Sequence, residues 1–485
     1  MRIGLVLDNP KRDLTGLCLI AYHLLQQRHD VFIIPMYDQG SDMPFLQLDA
    51  IVVNYARTSN VDLLKTYKQL GMTIFVLDTE GGLMPDFGQG SPEFWAERVR
   101  EIGAPSFIDH YIFWGTRHYQ AYRKHSGIEE KRLHVAGSPR HDICHPKWRP
   151  TLQHSRSGFI LVNLNFPLIN PWWGTAHVSV DQNSIVCGSA RQEMSNTAKV
   201  IPVDVEKAHR FQDELLFTLN ELLRTMRSLA FANPDRTFVV RPHPFENQEV
   251  YKAFFAPNAN VVVDGSGEVM SVIKAADLVL HLNCGTSVET RLLGKAPVSL
   301  EFLNSEVVKY NVSVPSNISY PVKGIEELDA LVKDPDAIPA PYKEMGPYCQ
   351  ELKPWFGELD GKAAERAASI IAHHVVLHPR ITSIAFGLRG LSSCQAHPKV
   401  RHLILGAAAL LFGSRRVAAF RNTLRPQRAM KYTDASSIQE KIQGFAQCDG
   451  GLLASSVNFA HHALTGFEMS TIHLAPLEPI GAKSS

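Results

Sequence analysis

Short apolar runs that stop at polar or glycine residues alternate with amphipathic stretches along most of the chain, and this alternation limits the fold more than any other feature. Arg2 to Leu7 reads as a strand, Leu14 to Gln27 as a helix and Val31 to Pro35 as a second strand. Asp49 to Val53 follows as a third strand, Val61 to Leu70 as a helix and Thr73 to Leu77 as a fourth strand. Strands joined through helices over short links build a parallel sheet with helices on both faces. Two short strands, Tyr111 to Trp114 and Leu133 to Val135, extend the series. The pattern lapses in a polar, proline-containing link around residues 143–157 and restarts at Phe159 to Val162. With 485 residues, one ordinary core is excluded. The reading is an α/β domain over residues 1–150, a second over 155–375 and a basic extension over 376–485.

Ligands of such sheets lie beyond the carboxyl ends of the strands. In the first domain that rim carries Asp8, Asn54 and the loop Asp78-Thr79-Glu80-Gly81-Gly82. In the second domain the informative stretch is Phe238 to Leu293. One strand ends in Arg241-Pro242-His243-Pro244, and another breaks at Asn283-Cys284-Gly285-Thr286-Ser287 before a helix containing Glu289. The prolines fix the backbone around His243, and Arg241 adds a fork of donors, a pair suited to a phosphate leaving a sugar. A lone His in such a place also serves simply as a turn cap. Gly285, Thr286 and Ser287 put small residues and hydroxyls where a helix start leaves backbone N–H groups free for phosphate oxygens. Glu289 suits a ribose diol, or it only complements the helix dipole. If the two rims face each other, Asp78 or Glu80 would take the proton of an acceptor hydroxyl while His243 holds the leaving phosphate. The plainer reading of Asp78 and Glu80 is a solvated turn. No Walker-type or Gly-x-Gly-x-x-Gly signature is present, which argues against an ATPase or a dehydrogenase.

A net charge of +1 gives no basic excess for nucleic acid. The seven cysteines are scattered without a C-x-x-C pair, so neither a zinc site nor a disulfide framework is expected, and a reducing cytosol fits. The N-terminal apolar run is too short for a signal peptide, and no stretch reaches bilayer-spanning length. The extension is different. Between Arg366 and Tyr432 there is no Asp or Glu, and Leu403 to Phe412 is apolar between Lys399, Arg401, Arg415 and Arg416. Residues 399–431 suit the headgroup layer of an anionic membrane, or else a buried helix with a basic outer face. The long loop through Trp172 and Trp173 is read as functional or mobile, with aromatic faces that suit sugar stacking or an apolar lid.

Six motifs then follow in order: Asp78-Thr79-Glu80-Gly81, Phe113-Trp114-Gly115, Gly137-Ser138-Pro139-Arg140-His141-Asp142, Asn163-Leu164-Asn165-Phe166, Arg241-Pro242-His243-Pro244 and Asn283-Cys284-Gly285-Thr286-Ser287-Val288-Glu289. Together, over about residues 1–375, they resemble the bacterial surface carbohydrate biosynthesis proteins. That family looks like GT-B glycosyltransferases, which implies two facing Rossmann-like domains. The Glu-Gly and His-Pro elements are similar to those of bacterial sialyltransferases and Kdo transferases. The Gly-x-Pro-Arg-x-Asp element resembles CDP-glycerol glycerophosphotransferases. The resemblance implies that Glu80 is the acceptor-side base, or a nucleophile if configuration is retained. It also implies that His243 meets the donor phosphate and that Thr286 and Ser287 complete its site. Thr79 stands where relatives often carry an acid, which leaves the choice between Asp78 and Glu80 open.

The expectation is a glycosyltransferase that works without a bound metal or separate cofactor, since the chain shows no convincing Asp-x-Asp motif. Its donor would be a nucleotide sugar, with a CMP-linked acidic sugar such as Kdo the first choice. Its acceptor would be a glycan or lipid-linked glycan of a surface polysaccharide or lipopolysaccharide, and the enzyme would be cytoplasmic, held on the inner membrane face by its basic extension. The alternatives are a CDP-glycerol-type transferase, a non-catalytic binding protein of the same fold, and a nucleotide-sugar epimerase.

Overall fold

A computed structural model describes residues 1–79, 82–187, 205–377, 407–424, 426–451, 455–462 and 465–476. The chain forms two compact units, one of Met1–Thr151 with Lys353–Ser485 and one of Leu152–Leu352. The first opens with β1 (Arg2–Leu7), β2 (Asp30–Pro35), β3 (Ala50–Val53), β4 (Thr73–Leu77), β5 (His110–Phe113) and β6 (Leu133–Val135). These pair in parallel in the order β2-β1-β3-β4-β5-β6. The order reverses between β1 and β3, a switch point whose crevice opens at the carboxyl ends. β1, β3 and β4 are buried almost throughout, as near-continuous apolar runs must be when helices cover both faces.

The second unit contains β7 (Ile160–Asn163), β8 (His177–Val178), β9 (Ile185–Val186), β10 (Phe238–Arg241), β11 (Val261–Val263), β12 (Leu278–His281), β13 (Val298–Leu300) and β14 (Tyr320–Val322). Six of them make a parallel sheet in the order β11-β10-β7-β12-β13-β14. In sequence order along this sheet that is 3-2-1-4-5-6, the arrangement of dinucleotide-binding sheets, with its switch point between β7 and β12. The helix Val205–Ala232 packs Leu215, Leu219, Leu222, Leu223 and Met226 into the core of this unit. β8 and β9 form a separate antiparallel pair.

After Leu352 the chain returns to the first unit. The helix Ala363–His374, assigned to the second domain by its sequence position, packs there instead, because the Gly137–Asp142 motif receives it. Asp142 accepts the Ala364 N–H at 2.7 Å, and a Cβ on Gly137 would stand 2.9 Å from that of Ala363. Arg366 donates to the Ala136 carbonyl at 2.7 Å, and buried Trp148 donates to that of Gly361 at 2.8 Å.

The extension does not stand apart either. β15 (Ser455–His461) and β16 (Glu468–Pro476) form a hairpin, and β16 pairs antiparallel with β2, covering that sheet edge. Buried Asp42 accepts the Thr471 N–H and hydroxyl at 3.0 and 2.8 Å. Several basic residues of the extension meet acids of the same unit: Arg415 meets Glu468, Lys431 meets Asp8, and Arg421 and Arg428 approach Asp38. Leu410 packs on the core, whereas Leu411, Phe412, Phe420 and Leu424 are exposed. Residues 399–406 and Arg425, part of the segment expected at a membrane, lie outside the described residues. Among the described residues no helix is long and apolar enough to cross a membrane.

Gly115 is fixed by close packing, since an added Cβ would overlap the Pro354 carbonyl oxygen and lie 2.5 Å from the Trp355 carbonyl carbon. Backbone cannot swing aside as a side chain does. Gly115→Ala should therefore lower unfolding free energy by about 1–3 kcal/mol. Gly40→Ala, whose nearest neighbour would be Leu63 at 3.5 Å, should be close to neutral. Urea denaturation of both variants checks the pair.

Candidate functional site

The parallel register places Asn163 at the end of β7 opposite both Arg241 of β10 and His281 of β12. This row closes the sheet at its switch point. Asn163 is 3% exposed, and neither end of its carboxamide has a hydrogen-bond partner among the described residues. Two residues beyond His281, Asn283 adopts a left-handed backbone with φ of 40°, which Asn tolerates better than most residues. Its Nδ2 donates to the Lys309 carbonyl at 2.7 Å, while its buried Oδ1 has no partner among the described residues. Ser287, fully buried, likewise has an unpartnered Oγ. Leaving a buried polar atom unmatched costs roughly 1–3 kcal/mol, so four such atoms at one sheet end are polar capacity that water or a polar ligand would satisfy.

The helix start itself differs from expectation. The Ser287 and Val288 N–H groups, expected to be free, close onto the Cys284 and Gly285 carbonyls at 3.1 and 2.9 Å. Side chains, more than these backbone donors, supply the remaining polar capacity. The short helix Thr286–Leu292 is held by Arg291, which is 1% exposed and donates to the carbonyls of Tyr342 and Ile318. Glu289 is also 1% exposed. Thr286 donates its hydroxyl to the Cys284 sulfur at 3.3 Å. His281 Nδ1 faces the Cys284 N–H at 3.5 Å and its Nε2 lies 2.8 Å from the Ser319 hydroxyl, which donates to the Pro315 carbonyl. Burial lowers the pKa of His281 to about 4, so it is a neutral brace for this turn.

Arg241 is turned to structural use. Its guanidinium donates to the carbonyls of Ser266 and Gly267, and burial lowers its pKa. His243 is half-buried, and its Nδ1 accepts the Phe245 N–H at 3.2 Å. That bond caps the turn and puts the proton of the neutral ring on Nε2. The loop is tied to its neighbours by Glu246, a residue that no motif had singled out. Its carboxyl accepts the Phe166 N–H at 2.5 Å and the Tyr251 hydroxyl at 2.7 Å, joining the loops after β10 and β7. Burial pushes its pKa up to about 7 despite these bonds. A sequence cue was its position three residues after His243. The tryptophan loop is anchored here too. The Trp172 N–H donates to the Phe245 carbonyl at 2.8 Å, Asn170 and Asn247 exchange bonds, and Trp172 and Trp173 are 39% and 51% exposed.

In the first unit the switch point between β1 and β3 holds a small cavity of about 30 Å³ lined in part by Asp13, Gly16, Asn54, Asp78, Thr79 and Arg140. Asp78 is half-buried and accepts the Tyr111 hydroxyl at 3.4 Å. Arg12 bridges Asp8, Asp13 and the Thr79 hydroxyl. Asn54 is buried, and its carbonyl accepts the Thr79 N–H at 3.2 Å. Glu80 lies outside the described residues. The close packing around Gly82, where a Cβ would overlap Phe356 and approach Trp114 to 2.9 Å, explains the second glycine of that loop.

No protein-family profile and no curated protein matches the chain. Solved structures similar to it include UDP-GlcNAc 2-epimerase from Methanocaldococcus jannaschii, with 14% identity, a TM-score of 0.44 and coverage of 77% of this chain and 100% of that one. The S. aureus MnaA–UDP co-structure has 13% identity, a TM-score of 0.46 and coverage of 78% and 98%. The wall teichoic acid polymerase TagF has 13% identity, a TM-score of 0.45 and coverage of 77% and 89%.

Glu246 makes a pH test of this loop. Its carboxyl ionises near 4.5 when unfolded and at about 7 in the fold. The native state thus keeps a proton that the unfolded chain releases, and this contribution to stability is lost as pH rises through that window. The slope is at most about 1.4 kcal/mol per pH unit. In urea unfolding, the stability of wild type relative to Glu246→Gln should fall from pH 5 to pH 7 and then level off. A difference that does not vary with pH would show that this carboxyl ionises normally.

Proposed function

We propose that the protein is a glycosyltransferase whose second unit binds a nucleotide-sugar donor at the β7/β12 switch point and whose first unit binds the acceptor. The observation that carries this reading is the group of unmatched buried polar atoms on Asn163, Asn283 and Ser287 at the carboxyl end of a 3-2-1-4-5-6 sheet. Phosphate oxygens can accept from Asn163 Nδ2 and the Ser287 hydroxyl, and ribose hydroxyls can donate to the Asn163 and Asn283 oxygens. Glu289 would meet the ribose diol, and Gly285 and Thr286 the phosphates. Arg241 would act through the Ser266–Gly267 loop that it holds. His243, with its proton on Nε2, would donate to the leaving phosphate. Exposed Trp172 and Trp173, anchored to the His243 loop, offer faces for the sugar ring.

On the acceptor side Asp78 and Glu80 remain the candidate bases. The bond between Asp78 and Tyr111 favours a supporting role for Asp78 and leaves the proton transfer to Glu80. A CMP-linked acidic sugar such as Kdo is the first donor choice, and a surface glycan or lipid-linked glycan the acceptor. Exposed Leu411, Phe412, Phe420 and Leu424 in the acid-free segment would bring the enzyme to an anionic membrane surface. The structure gives the Gly137–Asp142 motif a packing task, so that motif does not favour a CDP-glycerol donor over a nucleotide sugar.

Calorimetry with CMP, CDP, UDP and GDP tests the donor site. One nucleotide should bind, and Asn163→Ala and His243→Ala should each weaken it by about 1–3 kcal/mol. Absence of binding by all four, or variants that match wild type, would sink the transferase reading. With the donor known, Glu80→Gln should slow transfer by about 10²–10⁴-fold while nucleotide affinity holds. Asp78→Asn should cost less. The reverse order in kinetic assays would exchange the two roles.

A further inference from the structure

We infer that the first unit holds a divalent transition-metal site made by His110, His134 and His374. The three residues come from separate elements. His110 opens β5, His134 is the middle residue of β6, and His374 ends the helix Ala363–His374. One nitrogen of each lies within 4.8 Å of the other two, and His110 Nδ1 and His134 Nε2 are 3.0 Å apart. The ring of His374 lies 4.4 Å from that of His110 and 4.9 Å from that of His134, centroid to centroid. Three imidazoles around a tetrahedral zinc ion, with bonds of about 2.0–2.1 Å, have their nitrogens roughly 3.3 Å apart. The His110–His134 pair at 3.0 Å is already near that spacing, and His374 completes the set within 4.8 Å.

The surroundings fit a ligand set better than an incidental contact. Phe75 stacks on His110 at 5.1 Å and fixes its plane. The helix end that presents His374 is tied down by the Val376 N–H, which donates to the Thr73 hydroxyl at 3.0 Å. The neighbouring cation Arg132 is spent on the carbonyls of Asp109, Pro105 and Ile108. Asp109, adjacent to His110, adds a carboxylate held by Lys68 and the Ile74 N–H. All three histidines are only half-buried, which leaves a fourth position open to water. Zinc, or cobalt or nickel in its place, suits three neutral imidazoles. The site lies at the amino end of β5, away from the carboxyl rim that carries Asp78. Its role is structural: the metal pins the helix Ala363–His374 of the returning chain to strands β5 and β6.

Tag-free full-length protein, stripped with a chelator, decides the matter. Cobalt titration should show one equivalent bound with the visible bands of a tetrahedral ion, and zinc should displace it. Zinc should raise the melting temperature of wild type. The double variant His110→Gln, His374→Gln should lose affinity by more than about 100-fold, beyond what an outer-shell change costs, and should lose the zinc-dependent rise in melting temperature. Should that variant not fold, zinc-edge absorption on wild type reads the ligands directly. Three imidazole nitrogens support the site. A sulfur-containing shell, no stoichiometric uptake at micromolar metal, or uptake retained by a folded double variant overturns it.

Discussion

The second unit depends on one row of parallel pairing. With β7 in register between β10 and β12, Asn163 stands level with Arg241 and His281. Everything that distinguishes the candidate donor site follows from this row. The strands end together, so the loops after them share one edge. Each loop is then braced separately: Arg241 on the Ser266–Gly267 carbonyls, His281 through Ser319, and the His243 turn through Glu246. These braces use polar groups that a sequence reading assigns to a ligand. What they leave over is the carboxamide of Asn163, the Asn283 oxygen and the Ser287 hydroxyl, and these, more than the charged residues, are the polar groups still open to a partner.

The first unit depends on a chain that comes back. The edge of its sheet at β2 is covered by β16, and the acids beneath that edge are answered by the returning segment. Asp42 is fully buried, and burial raises its pKa to about 7 even though Thr471 donates to it twice. Asp38 accepts from Tyr432, and Asp8 pairs with Lys431. The lack of acids between Arg366 and Tyr432 thus has an internal counterpart as well as any external one. Among the described residues, Val376, Leu377, Leu411, Phe412, Phe420 and Leu424 are large apolar side chains of this segment that the unit leaves exposed.

The parallel strands of the first unit, and β7, β10, β11 and β12 of the second, were legible because their apolar runs are short, regular and bounded by Gly, Asn, Asp or Pro, whereas β13 and β14 were not read individually. The motif ends were legible as strand ends for the same reason. The role of each end was less so. Arg241 reads as a phosphate fork, yet it braces a loop. The Gly137–Asp142 motif reads as part of a transferase, yet it receives a helix. No motif singled out Glu246, because its burial and shifted pKa come from neighbours distant in sequence. The hairpin β15–β16 escaped notice because its pairing partner, β2, lies more than four hundred residues earlier.

The sequence by itself determined the α/β class, the positions of the strand ends and the residue types gathered there, since these follow from local periodicity and turn chemistry. It also determined that any pairing of the basic segment must be with acids elsewhere. Only the tertiary structure decided which polar groups are consumed by bracing and which remain, because that depends on contacts across the sheet. It alone decided that the C-terminal segment completes the first unit, and that His110, His134 and His374 come together. Such juxtapositions depend on burial and strand order, which no local window of the chain contains.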